Sequence, residues 1–248
     1  MPVFDPTEKP IPALPFILLS NLFPLTGVLF YNMSFFALFY LFWWETVLIS
    51  FYQWLKMNKA ERRDEPDPNF RINGYTLTHE QVNSKKYMRR MYAITRIAML
   101  LFYLLFIVVF VGIYTTSESV FQEEMISVGG ALVFADHWMR ISFILFIIVH
   151  GVDYVNYIIT KQYQETSLRQ LGMPFDGRII IIHVVIVLGT FLSIYFSEKL
   201  MPGNPKAGNI AFASLFVLLK TIVDVIAYRK LQRRSETMIS VYNRMQKK

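Results

Sequence analysis

The sequence predicts an all-α integral membrane protein, a bundle of six transmembrane helices with both termini in the cytoplasm. Three observations support this fold class: an excess of apolar residues, their grouping into long blocks, and the distribution of basic residues between the blocks. Of the 248 residues, 54% are hydrophobic and only 17% are charged, whereas a soluble domain carries about 25% charged residues. The length of each block is close to the roughly 20 residues that a helix needs to cross the hydrocarbon core of a membrane.

The whole chain, 1–248, is interpreted as a single membrane domain. Its predicted spans are 11–30, 33–55, 97–114, 138–159, 179–196 and 210–228, with an insert at 56–96 and a tail at 229–248. Pro24 lies inside the first span, where a proline removes a helical hydrogen bond and predicts a kink. Only Tyr31 and Asn32 separate the first two spans, so these spans are expected to form an antiparallel hairpin.

The orientation of the bundle is predicted from the Lys and Arg residues of its loops. Twenty of them lie in the segments 56–96, 160–178 and 229–248, and only two lie in the segments 115–137 and 197–209. Cytoplasmic loops are the basic ones in membrane proteins, so the insert and the tail are predicted to be cytoplasmic. The first ten residues have no basic n-region, and no removable signal peptide is expected.

The net charge of +7 does not indicate nucleic acid as a partner, because the basic residues lie beside apolar blocks. We expect a bilayer with anionic headgroups instead, or the other subunits of a membrane complex. The residues assigned to lipid or partner binding are Lys85, Lys86, Arg89, Arg90, Arg233 and Arg234. Thr78 and Gln81 have the spacing of a capping box, which predicts a basic helix running from there directly into the third span.

Ionisable residues inside the predicted spans are the most informative feature of the sequence, because such groups are costly in a bilayer and are usually functional. The candidates for a metal or proton-relay site are Glu45, His150, Asp153 and His183, with Asn21, Asn156, Lys220 and Asp224 as supporting residues. Their depths follow from counting about 1.5 Å per residue to the nearest cytoplasmic basic residue. All the ionisable candidates are then predicted to lie at mid-membrane or in the cytoplasmic half.

Spacing within the spans leaves two kinds of site open. His150 and Asp153 are three residues apart, so the carboxylate can orient the imidazole, as second-shell groups do in metal sites. Two histidines and two carboxylates at similar depth fit a divalent metal ion, and the same groups fit a path for protons or ions. Lys220 and Asp224 are four residues apart and are predicted to neutralise each other.

Common catalytic signatures are absent from the sequence. It contains no His-Glu-x-x-His helix, no Gly-x-Ser-x-Gly elbow and no phosphate-binding glycine loop. It also contains no cysteine, which excludes a disulfide framework and a thiolate metal site. A non-enzymatic role is therefore favoured over catalysis.

The stretch NLFPLTGVLF at 21–30, followed by YLFWWE at 40–45, resembles a family of prokaryotic multi-span proteins known only as a domain of unknown function. That family has an Asn-x-x-Pro-x-x-Gly-Val hairpin that leads into an aromatic-rich helix ending in Trp-x-Glu. His150-Gly151 and the pattern from Arg178 to His183 are similar to it as well. The resemblance implies the inner membrane of a bacterium or archaeon, implies no activity, and groups Glu45 with the two histidines.

Three functions remain open on the sequence alone. The first is a transport, ion-handling or accessory subunit, in which Glu45 and Asp153 carry charge and the histidines act as ligands or relays. The second is a metal-dependent intramembrane enzyme of hydrolase type, with His150, His183 and Glu45 as ligands and Asp153 as the base or orienting group. The third is a structural scaffold subunit of a membrane complex, in which the buried polar groups satisfy one another.

Overall fold

The computed structural model of the chain describes residues 12, 14–31, 33–65, 71–72, 75–109, 129–173, 195, 199, 208, 210–226 and 228–229. Its helices are α1 (Leu14–Phe30), α2 (Phe35–Lys59), α3 (His79–Asn83), α4 (Lys85–Phe106), α5 (His137–Ile159), α6 (Leu168–Leu171) and α7 (210–226). A helical turn at 129–132 and a 3-10 helix at Gln162–Gln164 complete the helical part. Two short strands, β1 (Arg71–Ile72) and β2 (Tyr75–Thr76), pair antiparallel.

The all-α fold class is confirmed. Helices occupy five of the six predicted spans, and nearly all of the remaining one, 179–196, lies outside the described residues. Two described stretches, Lys85–Val109 and Gly129–Ile159, are long and apolar enough to cross a membrane by length and composition, and α1 is a shorter apolar helix. Pro24 lies inside α1, as predicted.

Helix α2 is the central element of the described bundle. It begins at Ser34, whose hydroxyl oxygen accepts a hydrogen bond from the Ala37 N–H at 3.1 Å. Its first turns carry large apolar side chains that are almost completely buried, and its contacts with α4 and α5 are extensive. Phe39 stacks on two rings of α7, those of Phe212 and Phe216, at centroid distances of 5.4 and 4.7 Å.

The connection between α1 and α2 is tight, as predicted for a hairpin. The Gly27 carbonyl oxygen accepts hydrogen bonds from the N–H groups of Tyr31 and Met33 at 3.1 and 3.0 Å. A Cβ at Gly27 would lie 3.3 Å from the end of the Met33 side chain. The absence of a Cβ at this position therefore lets the chain fold back closely onto α1.

Helices α2 and α5 run in the same direction. Phe42 of α2 contacts Phe146 of α5, and further along both helices Lys56 pairs with Asp153. Helix α7 runs in the same direction as α2. Phe39 of α2 contacts Phe212 of α7, and further along both helices Glu45 contacts Lys220.

Helices α1 and α4 run in the opposite direction. The end of α1 lies near the start of α5, where Tyr31 and Trp138 have ring centroids 4.0 Å apart. Along α4 the order of contacts with α2 is reversed: Trp43 Nε1 donates to the Leu100 carbonyl oxygen, whereas Trp54 contacts Arg89. The described helices therefore alternate in direction along the chain as α1, α2, α4 and α5 follow one another.

A small second core closes the end of the bundle at which α2 and α5 terminate. It is formed by Met57, Ala60, Leu77, Val82, Met88, Tyr92, Leu168 and Leu171. We call residues 60–65, 75–84 and 160–172 around it the basic-end cap. Asp64 joins its parts, because the side chain pairs with Arg169 at 3.6 Å and the backbone exchanges hydrogen bonds with the Asn83 side chain.

The capping box at Thr78 and a basic helix that runs directly into the third span are confirmed, but the two do not belong to one continuous helix. The Gln81 N–H donates to Thr78 Oγ1 at 3.3 Å, and the Thr78 N–H donates to Gln81 Oε1 at 3.0 Å. This helix, α3, ends at Asn83, because Ser84 adopts an extended conformation with φ −82° and ψ 109°. The Ser84 hydroxyl oxygen then accepts from the Tyr87 N–H and begins α4, twelve residues before the predicted third span.

Candidate functional site

Polar side chains from four helices meet inside the bundle. They are Asn21 of α1, Glu45 of α2, His150 of α5, and Lys220 and Asp224 of α7. We call these five residues the buried polar cluster. Asn21, Glu45, Lys220 and Asp224 are at most 6% exposed, so each must find its partners within the protein.

Lys220 is the centre of the cluster. Its Nζ lies 2.8 Å from Glu45 Oε2 and 2.8 Å from Asp224 Oδ2, and it donates to Asn21 Oδ1 at 2.5 Å. An ammonium group has three donor hydrogens, so these contacts use all of them. The same ammonium lies 4.9 Å from the centre of the Phe42 ring, a cation–π distance.

Asn21 fixes the positions of the ion pair from the side of α1. Its Nδ2 donates to Asp224 Oδ2 at 2.9 Å, while its Oδ1 accepts from Lys220. The carboxamide is thus a donor to the acid and an acceptor from the base. A carboxylate at this position would repel Asp224, and an apolar side chain would leave both ions with one hydrogen bond fewer.

Glu45 connects the lysine to a histidine. Its Oε2 faces Lys220, and its Oε1 lies 3.3 Å from His150 Nε2. The His150 side chain is 13% exposed, whereas that of Glu45 is 4% exposed. His150 is therefore the member of the cluster with access to the surface of α5.

The formal charge of the cluster depends on His150. Two carboxylates and one ammonium leave one negative charge when the imidazole is neutral, and none when it is an imidazolium. A proton that binds His150 therefore changes the charge of a site that is otherwise sealed from solvent. This property makes the arrangement suited to proton exchange as well as to structural pairing.

The other predicted site residues of α5 lie nearer the basic-end cap. Asp153 forms an ion pair with Lys56 of α2, in which Nζ and Oδ2 lie 2.6 Å apart. The carboxylate that lies against His150 comes from α2 instead of from its own helix. Asn156 is buried one turn beyond Asp153, and its carbonyl oxygen accepts from the Thr160 hydroxyl at 2.6 Å.

The predicted metal set is incomplete in the described part of the chain. His183, Arg233 and Arg234 lie outside the described residues. Within the described ranges, no three His, Asp or Glu side chains are grouped so that they could hold a metal ion. The Lys220 ammonium occupies the position between Glu45 and Asp224 that a divalent cation would need.

Sequence reasoning missed two features of the basic end. One is the burial of Asp64, which is 6% exposed. The other is the approach of the Arg89 guanidinium to the Trp54 ring, at 3.7 Å. Arg62 is a close neighbour of Asp64 in the chain, but Arg169 and Asn83, which also hold Asp64, and Trp54, which Arg89 contacts, are distant in sequence, so no local pattern could have indicated these contacts.

Residues 4–240 of the chain match a family of unknown function, DUF6498. The chain belongs to the DUF6498 family. This confirms the predicted membership in a domain family of unknown function, while the family motif and the prokaryotic origin stay predictions. No curated protein and no solved structure matches the chain significantly. The function of this DUF6498 protein must therefore be argued from its own residues.

Proposed function

We propose that this DUF6498 protein is a six-span protein of the prokaryotic inner membrane, with both termini in the cytoplasm, that handles ions by exchanging protons at the buried polar cluster. The observation that carries the proposal is the contact between Glu45 and both His150 and Lys220, at 3.3 and 2.8 Å. It joins a partly accessible titratable group to a sealed ion pair. No other described contact links a histidine to buried charges in this way.

The distribution of polarity supports the membrane placement. The charged side chains of the buried polar cluster lie inside the bundle, whereas Ile97, Leu101 and Leu105 of α4 are 57–61% exposed on the outside. A soluble protein has the opposite arrangement, because water solvates charges and excludes hydrocarbon. An exterior of this kind is stable when acyl chains surround it.

The helix directions support the predicted orientation. Helices α2, α5 and α7 correspond to the second, fourth and sixth predicted spans and run in parallel, while α1 and α4 run in the opposite direction. Strict alternation of six spans requires this pattern. The basic residues Lys56, Lys85 and Arg89 share one end of the bundle, the end that the charge bias assigns to the cytoplasm.

Proton exchange at the cluster can be measured without knowing a co-transported species. Proteoliposomes adsorbed on a solid-supported membrane are exposed to a rapid pH step, and the charge displacement is recorded as a current. The wild-type protein is expected to give a current, because protons that bind inside the membrane move charge. Glu45→Gln is expected to abolish it, because the substitution removes the charge that links His150 to Lys220.

Glu61→Gln is the matched control, because it is the same substitution at an exposed position just after α2. It should leave the current unchanged. A wild-type protein that is folded and gives no current would contradict proton exchange. Equal currents from the wild type and from Glu45→Gln would show that the charge moves elsewhere.

A structural scaffold is the second candidate. The observation that favours it is the saturation of Lys220, whose three donors are all used by Asn21, Glu45 and Asp224. In this case the cluster fixes the packing of α1, α2 and α7, and the protein acts as a subunit of a membrane complex. Absence of the pH-step current, together with copurification of stoichiometric partners, would favour the scaffold.

A further inference from the structure

A groove lies between the last turns of α2 and the first turns of α4. It is lined by Trp54, Lys85, Lys86, Arg89, Arg90 and Ala93, and its volume is about 450 Å³, within the range of small-ligand pockets. Four of the lining residues are cations, and none of the residues that the structure places in the lining is acidic. The groove therefore combines a strong positive potential with an aromatic wall.

Two of the cations are held in place by α2. The Arg89 guanidinium stacks on Trp54 and donates from Nη1 to Asn58 Oδ1 at 3.0 Å. Lys85 Nζ donates to the Asn58 carbonyl oxygen, also at 3.0 Å. Arg89 Nε is buried, and among the described residues it has no hydrogen-bond acceptor. The contacts with Trp54 and Asn58 fix both side chains in the lining of the groove.

An exposed apolar stripe of α4 continues from the groove. Lys86, Arg90, Ile94, Ile97, Leu101 and Leu105 follow one another at intervals of three or four residues, so they share one face of the helix. The apolar members of this stripe are 52–61% exposed. This face therefore has cationic side chains at one end and exposed apolar side chains along the rest. An anionic phospholipid has the complementary order, with a negatively charged headgroup followed by acyl chains.

We propose that the groove binds the headgroup phosphate of an anionic phospholipid, with an acyl chain along the Ile94–Leu105 stripe. Arginine guanidinium groups suit phosphate oxygens because their donors are arranged as a planar fork, and a tryptophan ring is favoured at headgroup level. A free phosphate ion would use the cations but leave the stripe uncovered, so the stripe favours a lipid. This inference rests on the membrane placement in the proposed function but is independent of proton exchange.

The test uses the purified, delipidated full-length protein in detergent. Native mass spectrometry measures the fraction that retains added phosphatidylglycerol, with phosphatidylcholine as the zwitterionic comparison and inorganic phosphate as a competitor. The variant is Lys86→Gln/Arg90→Gln, because both side chains are exposed and their loss leaves the core intact. The control is Lys59→Gln/Arg63→Gln, which removes two exposed cations at the same end but outside the groove.

The wild type is expected to bind phosphatidylglycerol more tightly than phosphatidylcholine, and the groove variant is expected to bind it about tenfold more weakly. The control should bind nearly as well as the wild type, and millimolar phosphate should not displace the lipid. Equal loss in the groove variant and the control would overturn the proposal in favour of nonspecific charge attraction. Displacement by inorganic phosphate would overturn the lipid as the ligand. Retained lipid binding in a protein without a pH-step current leaves this inference intact while the proton site fails.

Discussion

Glu45 Oε1 and His150 Nε2 lie 3.3 Å apart although 105 residues separate them in the chain. The contact exists because α2 and α5 run in parallel and place the two side chains at the same level. Through the other oxygen of Glu45, the imidazole is connected to Lys220 and Asp224. The stability of the bundle and its proposed activity therefore depend on the same few atoms.

Removal of the central cation should destabilise the protein strongly. Lys220→Met removes the ammonium that lies 2.8 Å from Glu45 Oε2 and from Asp224 Oδ2, and it leaves both carboxylates buried without that cation. Breaking a buried ion pair in this way costs about 3–5 kcal/mol. Lys56→Met is the matched control, because its partner Asp153 is 49% exposed and such pairs contribute about 0–1 kcal/mol. Thermal unfolding in detergent, followed by circular dichroism, should show a large loss only for Lys220→Met.

Asn21 is expected to contribute more to stability than its neighbour Ser20, although both are buried. Asn21→Ala removes hydrogen bonds to two ions and leaves them underpaired, which costs about 1–3 kcal/mol. Ser20→Ala removes one hydrogen bond to the Ile17 carbonyl oxygen of the same helix and should cost less. Comparable losses for the two variants in the same unfolding measurement would argue against a bridging role for the carboxamide.

Two adjacent tryptophans should respond differently to replacement by phenylalanine. Trp43→Phe loses the hydrogen bond from Nε1 to the Leu100 carbonyl oxygen, at 2.8 Å, which joins α2 to α4. Trp44 Nε1 is buried and has no acceptor among the described residues, so Trp44→Phe removes an unsatisfied donor. Trp43→Phe is therefore expected to be less stable than Trp44→Phe by about 1 kcal/mol, and the reverse order would be inconsistent with these contacts.

The basic-end cap should not tolerate a side chain at Gly172. A Cβ there would lie 2.9 Å from both the Leu168 carbonyl oxygen and the end of Met88, and overpacking of this kind costs about 1–3 kcal/mol. Gly129→Ala is the control, because nothing lies within 4 Å of its added Cβ. Proteolysis of the cap in detergent should accelerate in Gly172→Ala and stay unchanged in Gly129→Ala.

The sequence predicts the helices and much of the cluster because both follow from simple periodicities. Glu45 and His150 are each eleven residues from a basic residue at the end of their helices, and equal depth on parallel helices brings them together. The pairing of Lys220 with Asp224 follows from helical spacing alone. The equal depths and the Lys220–Asp224 spacing need no knowledge of which helices are neighbours, whereas the contact between Glu45 and His150 depends on α2 lying beside α5.

The remainder depends on helix packing, which a single sequence does not encode locally. Helical spacing predicts a contact between His150 and Asp153, but it gives no indication of the contacts that these residues make with Glu45 and Lys56 of α2. The break at Ser84 arises because its hydroxyl caps α4 while α3 packs into the cap core. The burial of Asp64 likewise depends on Arg169 and Asn83, which reach it from other elements.

Both proposals require the bundle to span a membrane, and the proposed function places the basic-end cap in the cytoplasm. Because the chain has no cysteine, Lys59→Cys at the cap and Tyr31→Cys at the opposite end give single labelling sites at exposed positions. Intact cells are treated with a membrane-impermeant maleimide before and after permeabilisation. We predict that Tyr31→Cys is labelled in intact cells and Lys59→Cys only after permeabilisation. Labelling of both positions from the same side, or of Lys59→Cys alone in intact cells, would contradict the account.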